Sequence, residues 1–177
     1  MNKTVRRLTA AGAALAALAG GSAVWATSSS AAAAAPGSIG RCGAGQLSVW
    51  LNASSENGAA GSTYYNLDFT NTSGTECHLY GYPGVSVIGA NGGQLGASAQ
   101  RNSVIPARYV NIGPGQTAHA VLRYADVQVT SGCKPAAGAF LKVYPPDEKG
   151  SRLAFFSLPS CTTGAGYLQI ERVQPGV

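Results

Sequence analysis

The chain has little with which to perform acid–base or metal chemistry. Its 177 residues include two histidines, four cysteines and seven carboxylates, and charged residues make up 11% of the total. Nucleophilic catalysis needs a base beside the nucleophile, usually a histidine, and only His78 and His119 exist. Ser86, in GVSVIG, lacks the second glycine and the following helix of a nucleophile elbow. The carboxylates form no recognisable constellation, and Asp147 and Glu148 follow two prolines in a turn. A hydrolase would have to use a carboxylate pair that includes Asp68 or Asp126; this is the alternative function, and no catalytic residue is assigned. Zinc ligands come in close pairs such as C-x-x-C, whereas the closest cysteines here are Cys133 and Cys161. No metal site is expected. Glycine is plentiful, yet no glycine-rich loop precedes a helix that would cradle phosphate, so no nucleotide and no other cofactor is expected.

Also missing are a long leucine-rich run and a basic stop-transfer cluster, which argues against a stable membrane anchor. The N-terminus instead runs from Lys3, Arg6 and Arg7 through an Ala/Leu/Gly stretch, Leu8 to Ala26, to the small residues SSSAAAAAPG. This order of basic, apolar and small defines a signal peptide with its cleavage region, residues 1–35, followed by a single secreted domain, residues 36–177. TVRRLT fits a twin-arginine signal poorly, so the general secretory route is expected. Arg41 directly before Cys42 is not a lipid-attachment context. Without the three leader cations, nine basic residues face seven acidic ones, a net charge of +2. Those nine are scattered singly, so nucleic acid is not an expected partner.

What is present is strand and turn chemistry. No window beyond the leader carries a clear 3.6-residue period. Strands are expected at Gln46–Leu51, Ser62–Thr70, Glu76–Tyr82, Val85–Ile88, Val110–Ile112, Gln116–Tyr124, Phe140–Tyr144, Leu153–Ser157 and Tyr167–Val173, separated by turn segments such as NASSENGAAG, GPG and GCKPAAG. In STYYNLDFT the alternation puts Tyr65, Leu67 and Phe69 inward and Tyr64, Asn66 and Asp68 outward. In QTAHAVLRY it puts Ala118, Ala120, Leu122 and Tyr124 inward and leaves His119 and Arg123 outside. Many short strands with one apolar face describe an all-β, antiparallel Greek-key β-sandwich of immunoglobulin-like type. Four cysteines in an exported chain imply two disulfides. Of the three possible pairings, Cys42 with Cys77 and Cys133 with Cys161 is expected, because each ties a segment near one end of the domain to a nearby strand.

Tyrosine can stack on sugar rings or anchor a protein interface, although it is also a favoured strand residue. ECHLYGYPGVSV reads as a strand ending in a turn, with Cys77 and Leu79 facing in and Glu76, His78, Tyr80 and Tyr82 facing out. Tyr80, Tyr82 and Tyr109 are the candidate partner-binding residues.

The order of CGAGQLSVW, YYNLDFTNTSGTECHLYGYPGVSV, IGPGQTAHAVLRY, GCKP, LKVYPPDE and CTTGAGYLQIERVQPG resembles the secreted actinobacterial family termed domain of unknown function 4232. The most specific piece is the run from Asn71 to Val85. The resemblance implies an exported β-sandwich from a high-G+C bacterium such as a streptomycete, and no established activity. Many relatives are lipoproteins, a property this chain departs from by lacking a lipobox. The expected function is a non-enzymatic extracellular module that binds a protein or a cell-wall glycan, with a structural envelope role as a further alternative.

Overall fold

A computed structural model describes residues 38–164 and 166–176; the leader reading falls outside these residues. Thirteen strands follow one another: β1 (Gly40–Arg41), β2 (Leu47–Ala59), β3 (Ser62–Asn71), β4 (Cys77–Tyr80), β5 (Gly84–Gly89), β6 (Gln94–Leu95), β7 (Gln100–Arg101), β8 (Tyr109–Ile112), β9 (Thr117–Ala125), β10 (Pro135–Tyr144), β11 (Arg152–Phe155), β12 (Pro159–Cys161) and β13 (Leu168–Pro175). One sheet has the order β2-β3-β9-β13-β7. A second has the order β11-β10-β5-β6, with β12 also on β10, and a small third sheet is β1-β4-β8. The chain leaves β3, builds elsewhere, and returns as β9 beside it; it leaves again as β10 to β12 and returns as β13 beside β9. This is a two-disulfide antiparallel sandwich with Greek-key excursions, and among the described residues only the two-residue pairs β1–β4 and β7–β13 are parallel.

The inward faces assigned by alternation form one contiguous core. Leu67 and Phe69 of β3 and Leu122 of β9 are fully buried, as are Leu141 and Val143 of β10. Ala118 and Ala120 supply small side chains directly across from Phe69 and Leu67 in the ladder. That difference in size lets Val85 and Val87 of β5 and Leu79 of β4 fill the same interior, since cores are packed to crystal-like density. The bridges join Cys42 to Cys77 and Cys133 to Cys161.

The short strands β1, β6, β7 and β12 were not expected, and two segments read as turns are largely strand. NASSENGAAG is not a loop: β2 continues through it to Ala59, with the ladder broken between Asn52 and Asn57. Across that bulge the Ser55 hydroxyl donates to the Asn52 carbonyl and accepts the Asn66 N–H, both at 2.7 Å, so a side chain stands in for the missing backbone partner. Strand β10 likewise begins at Pro135, inside GCKPAAG, because it pairs with β12 before it reaches β11.

Three core-side tyrosines make the fold alkali-sensitive. Tyr124 is 7% exposed and its hydroxyl donates to the Pro159 carbonyl at 2.6 Å. Burial first, then the charge of Asp126 and the neighbouring Tyr167 and Tyr65, push its phenol up to about 12. Burial also raises Tyr65 and Tyr167. An acid whose folded value lies above its unfolded value stabilises the fold fully below the unfolded value, near 10, and loses that contribution as pH rises toward the folded value. Denaturant unfolding is therefore expected to show stability insensitive to these phenols up to about pH 10 and a loss of roughly 2–3 kcal/mol from Tyr124 alone by about pH 12. Tyr124→Phe should flatten that alkaline decline; an unchanged slope would show that this phenol titrates alike in the folded and unfolded states.

Candidate functional site

The ladder between β4 and β8 sets Tyr80 directly opposite Tyr109 and His78 opposite Asn111. Buried Cys77, Leu79, Val110 and Ile112 fill the inner face, so these four side chains belong to the outer one. Tyr80 and Tyr109 are 40% and 67% exposed, and their ring centroids lie 4.6 Å apart. His78 meets Tyr109 edge-on, with centroids 5.0 Å apart and planes at 82°. Its Nδ1 lies 2.9 Å from the Ile39 carbonyl. A carbonyl only accepts, so Nδ1 carries the proton and Nε2 of the neutral ring is left as an acceptor.

Tyr82 does not join this platform. Gly81, at φ 100°, turns the chain immediately after Tyr80; a conformation open to glycine ends the alternation there. The Tyr82 hydroxyl instead donates to the Ile105 carbonyl at 2.7 Å, which fastens the segment leading into Tyr109. Of the three tyrosines singled out from the sequence, two form the platform and the third holds it in place. Arg41, beside His78 in the β1–β4 pair, donates to the Asp147 carbonyl at 2.8 Å and lies 3.6 Å from the Glu148 carboxylate.

Asp68 and Asp126, either of which a hydrolytic carboxylate pair would include, do not form such a pair with each other. Asp68 pairs with His119 across β3–β9, while Asp126 follows Ala125, the partner of Ser62. Six residues of strand between those rows correspond to about 20 Å, well beyond the separations of roughly 5–10 Å that glycosidase pairs use. Asp126 accepts the Gln128 N–H at 2.9 Å and so caps its own turn. The Ser86 hydroxyl lies 2.8 Å from that of Ser98. Among the described residues no three His, Cys, Asp or Glu side chains gather as a metal site, and no helix is long and apolar enough to cross a membrane.

A row on the five-stranded sheet escaped the sequence reading. Trp50, Asp68, His119 and Gln174 stand side by side on four neighbouring strands. Trp50 is 43% exposed, whereas Asp68, although on the outward face, is only 6% exposed. Its Oδ2 accepts from the Asn52 amide at 3.1 Å. Burial raises the Asp68 carboxyl above the usual range, opposed by that hydrogen bond and by His119. A second exposed aromatic pair, Phe140 with Phe155, lies on β10 and β11 with ring centroids 6.4 Å apart.

Together these features define a disulfide-stapled β-sandwich whose outward chemistry is aromatic and hydrogen-bonding. The chain belongs to the family described as Domain of unknown function (DUF4232), whose model matches residues 42–174 and so includes both bridges and the tyrosine platform. No curated protein and no solved structure matches it.

Proposed function

We propose that this chain is an exported, non-enzymatic binding module that holds a glycan on the Tyr80–Tyr109 platform. The single observation that carries the reading is two adjacent, exposed phenol rings flanked by the amide of Asn111 and the imidazole of His78. A pyranose ring has apolar C–H faces and a rim of hydroxyls, so it needs both a ring face to stack on and polar groups at its edge. The Phe140–Phe155 pair also offers exposed rings, with Leu153 and Lys142 paired beside it. Two disulfides and the leader-like N-terminus support export through the general secretory route. The Ala/Gly-rich composition and the family support an actinobacterial source.

Tyr109→Ala is expected to weaken retention on insoluble cell-wall polysaccharide by about tenfold to thirtyfold, the range of a stacked ring at the centre of a contact. Its midpoint of unfolding should move little, because the ring is two-thirds exposed. A depletion assay with increasing polysaccharide measures this, and unchanged retention would remove the platform from the function.

A further inference from the structure

The tyrosine platform is one end of a longer path. Asn111, outward on β8 two residues beyond Tyr109, borders a depression of about 560 Å³ that is also lined by Gln116, Thr117, Pro175 and Gly176. Thr117 and Gly176 in turn border a second depression of about 190 Å³, whose other walls are Trp50, Asn52, Asp68 and His119. The two are therefore neighbours with Thr117 and Gly176 as their common wall, which is built tightly: a side chain at Gly176 would collide with the Thr117 carbonyl.

Resting on the glycan reading, we infer that this path is an extended groove for a neutral, linear polysaccharide, with Trp50 stacking on a sugar distant from the one on Tyr80 and Tyr109. Both ends carry exposed aromatic side chains, and hydrogen-bonding groups lie between them. Gln116 accepts the Gly113 N–H at 2.8 Å through its carbonyl oxygen, which leaves its amide donors for a ligand. Thr117 pairs its hydroxyl with that of Thr70 at 2.8 Å, and the Trp50 indole N–H reaches the same Thr70 hydroxyl at 3.5 Å. The two depressions are lined by no lysine or arginine, and Asp68 stands in the second. A phosphate-bearing or uronate polymer would meet no compensating cation along this floor, whereas a chain of equatorially linked hexoses or N-acetylhexosamines presents alternating apolar faces and hydroxyl rims.

The test is titration calorimetry on the disulfide-bonded chain with β-1,4-linked N-acetylglucosamine and glucose oligomers from dimer to hexamer. For at least one series, affinity is expected to rise about tenfold or more from dimer to hexamer. Trp50→Ala should abolish that rise while leaving dimer binding intact, Trp50→Phe should retain most of it, and Tyr109→Ala should weaken every length. In a Trp25→Phe background Trp50 is the sole tryptophan, and its emission should shift with the hexamer and not with the dimer. If affinity is independent of length, or Trp50→Ala changes nothing while Tyr109→Ala still weakens binding, the groove is refuted and the platform stands. If no oligomer binds, both readings fall.

Discussion

Replacing both members of the Cys42–Cys77 bridge with alanine is expected to lower the unfolding free energy by about 4 kcal/mol, the loop-closure contribution of a bridge of this span. The two cysteines are separated by 35 residues and are 0% and 2% exposed. Ordinary domains are stable by only about 5–15 kcal/mol, so the loss is a large share of the total. Denaturant unfolding of wild-type and double-variant chains measures it, and a change below about 1 kcal/mol would mean that the ladder alone holds this end of the fold.

The same bridge has a second consequence. Strand β1 is two residues long and attaches through Gly40 opposite Cys77 and Arg41 opposite His78. Beyond those pairs it is held by the Cys42 N–H donating to the His78 carbonyl at 2.9 Å, by the Arg41 contacts to Asp147 and Glu148, and by the bridge itself. When β1 detaches, His78 loses the Ile39 carbonyl that fixes its tautomer and its orientation against Tyr109. Glycan affinity should therefore fall in the Cys42→Ala/Cys77→Ala chain even under conditions where it is folded. The Cys133–Cys161 bridge joins the turn before β10 to β12, segments that contribute nothing to the platform. Its removal should cost a similar amount of stability, over a loop of 28 residues, and leave affinity unchanged.

How much of this was legible in the sequence depends on whether the signal is local. Period-two alternation located nine strands and the core faces of β3 and β9, because each such face is set by residues on one strand. The bridges were legible for a similar reason, each joining neighbouring elements. What did not show was anything fixed by register between strands. Trp50, Asp68 and His119 lie far apart in the chain and meet only because β2, β3 and β9 align in one register, which the bulge between Asn52 and Asn57 interrupts. Strand β13 gives another instance. Its alternation holds through Leu168 and Ile170, then a bulge before Val173 buries Arg172 and Val173 in succession. The Arg172 guanidinium satisfies its Nη1 on the Val173 carbonyl, while its Nε has no partner. Charge alone marks Arg172 as a surface residue, and only the bulge turns it inward. For the candidate site, alternation put His78 and Tyr80 on one face, but the partnership with Tyr109 and the departure of Tyr82 depended on the β4–β8 pairing and on Gly81.

Asn71, the first residue of the NTSG run, is expected to be the most sensitive polar position in the chain. Its side chain is fully buried and uses both ends of its amide. The Nδ2 group donates to the Thr75 carbonyl at 2.7 Å and to the Ile112 carbonyl at 3.0 Å. The Oδ1 atom accepts the Ser73 N–H at 2.9 Å and the Ser73 hydroxyl at 2.7 Å. Its backbone is engaged as well, accepting from Gly115 and donating to the Gln116 carbonyl. One residue thus joins the end of β3, the turn that delivers Cys77, the end of β8 and the turn that opens β9. Asn71→Ala removes four hydrogen bonds and strands the buried Ile112 carbonyl, a cost of about 3–4 kcal/mol. Asn71→Asp separates hydrogen bonding from volume: it keeps the size but turns an acceptor toward the Thr75 and Ile112 carbonyls, and should destabilise at neutral pH at least as much as alanine. Urea unfolding of both variants measures this, and a well-tolerated aspartate would show that the site needs only to be filled. Because Ile112 ends the strand that carries Tyr109 and Asn111, loosening it should also weaken the proposed glycan binding, which would link the NTSG run to that surface through packing and not through contact.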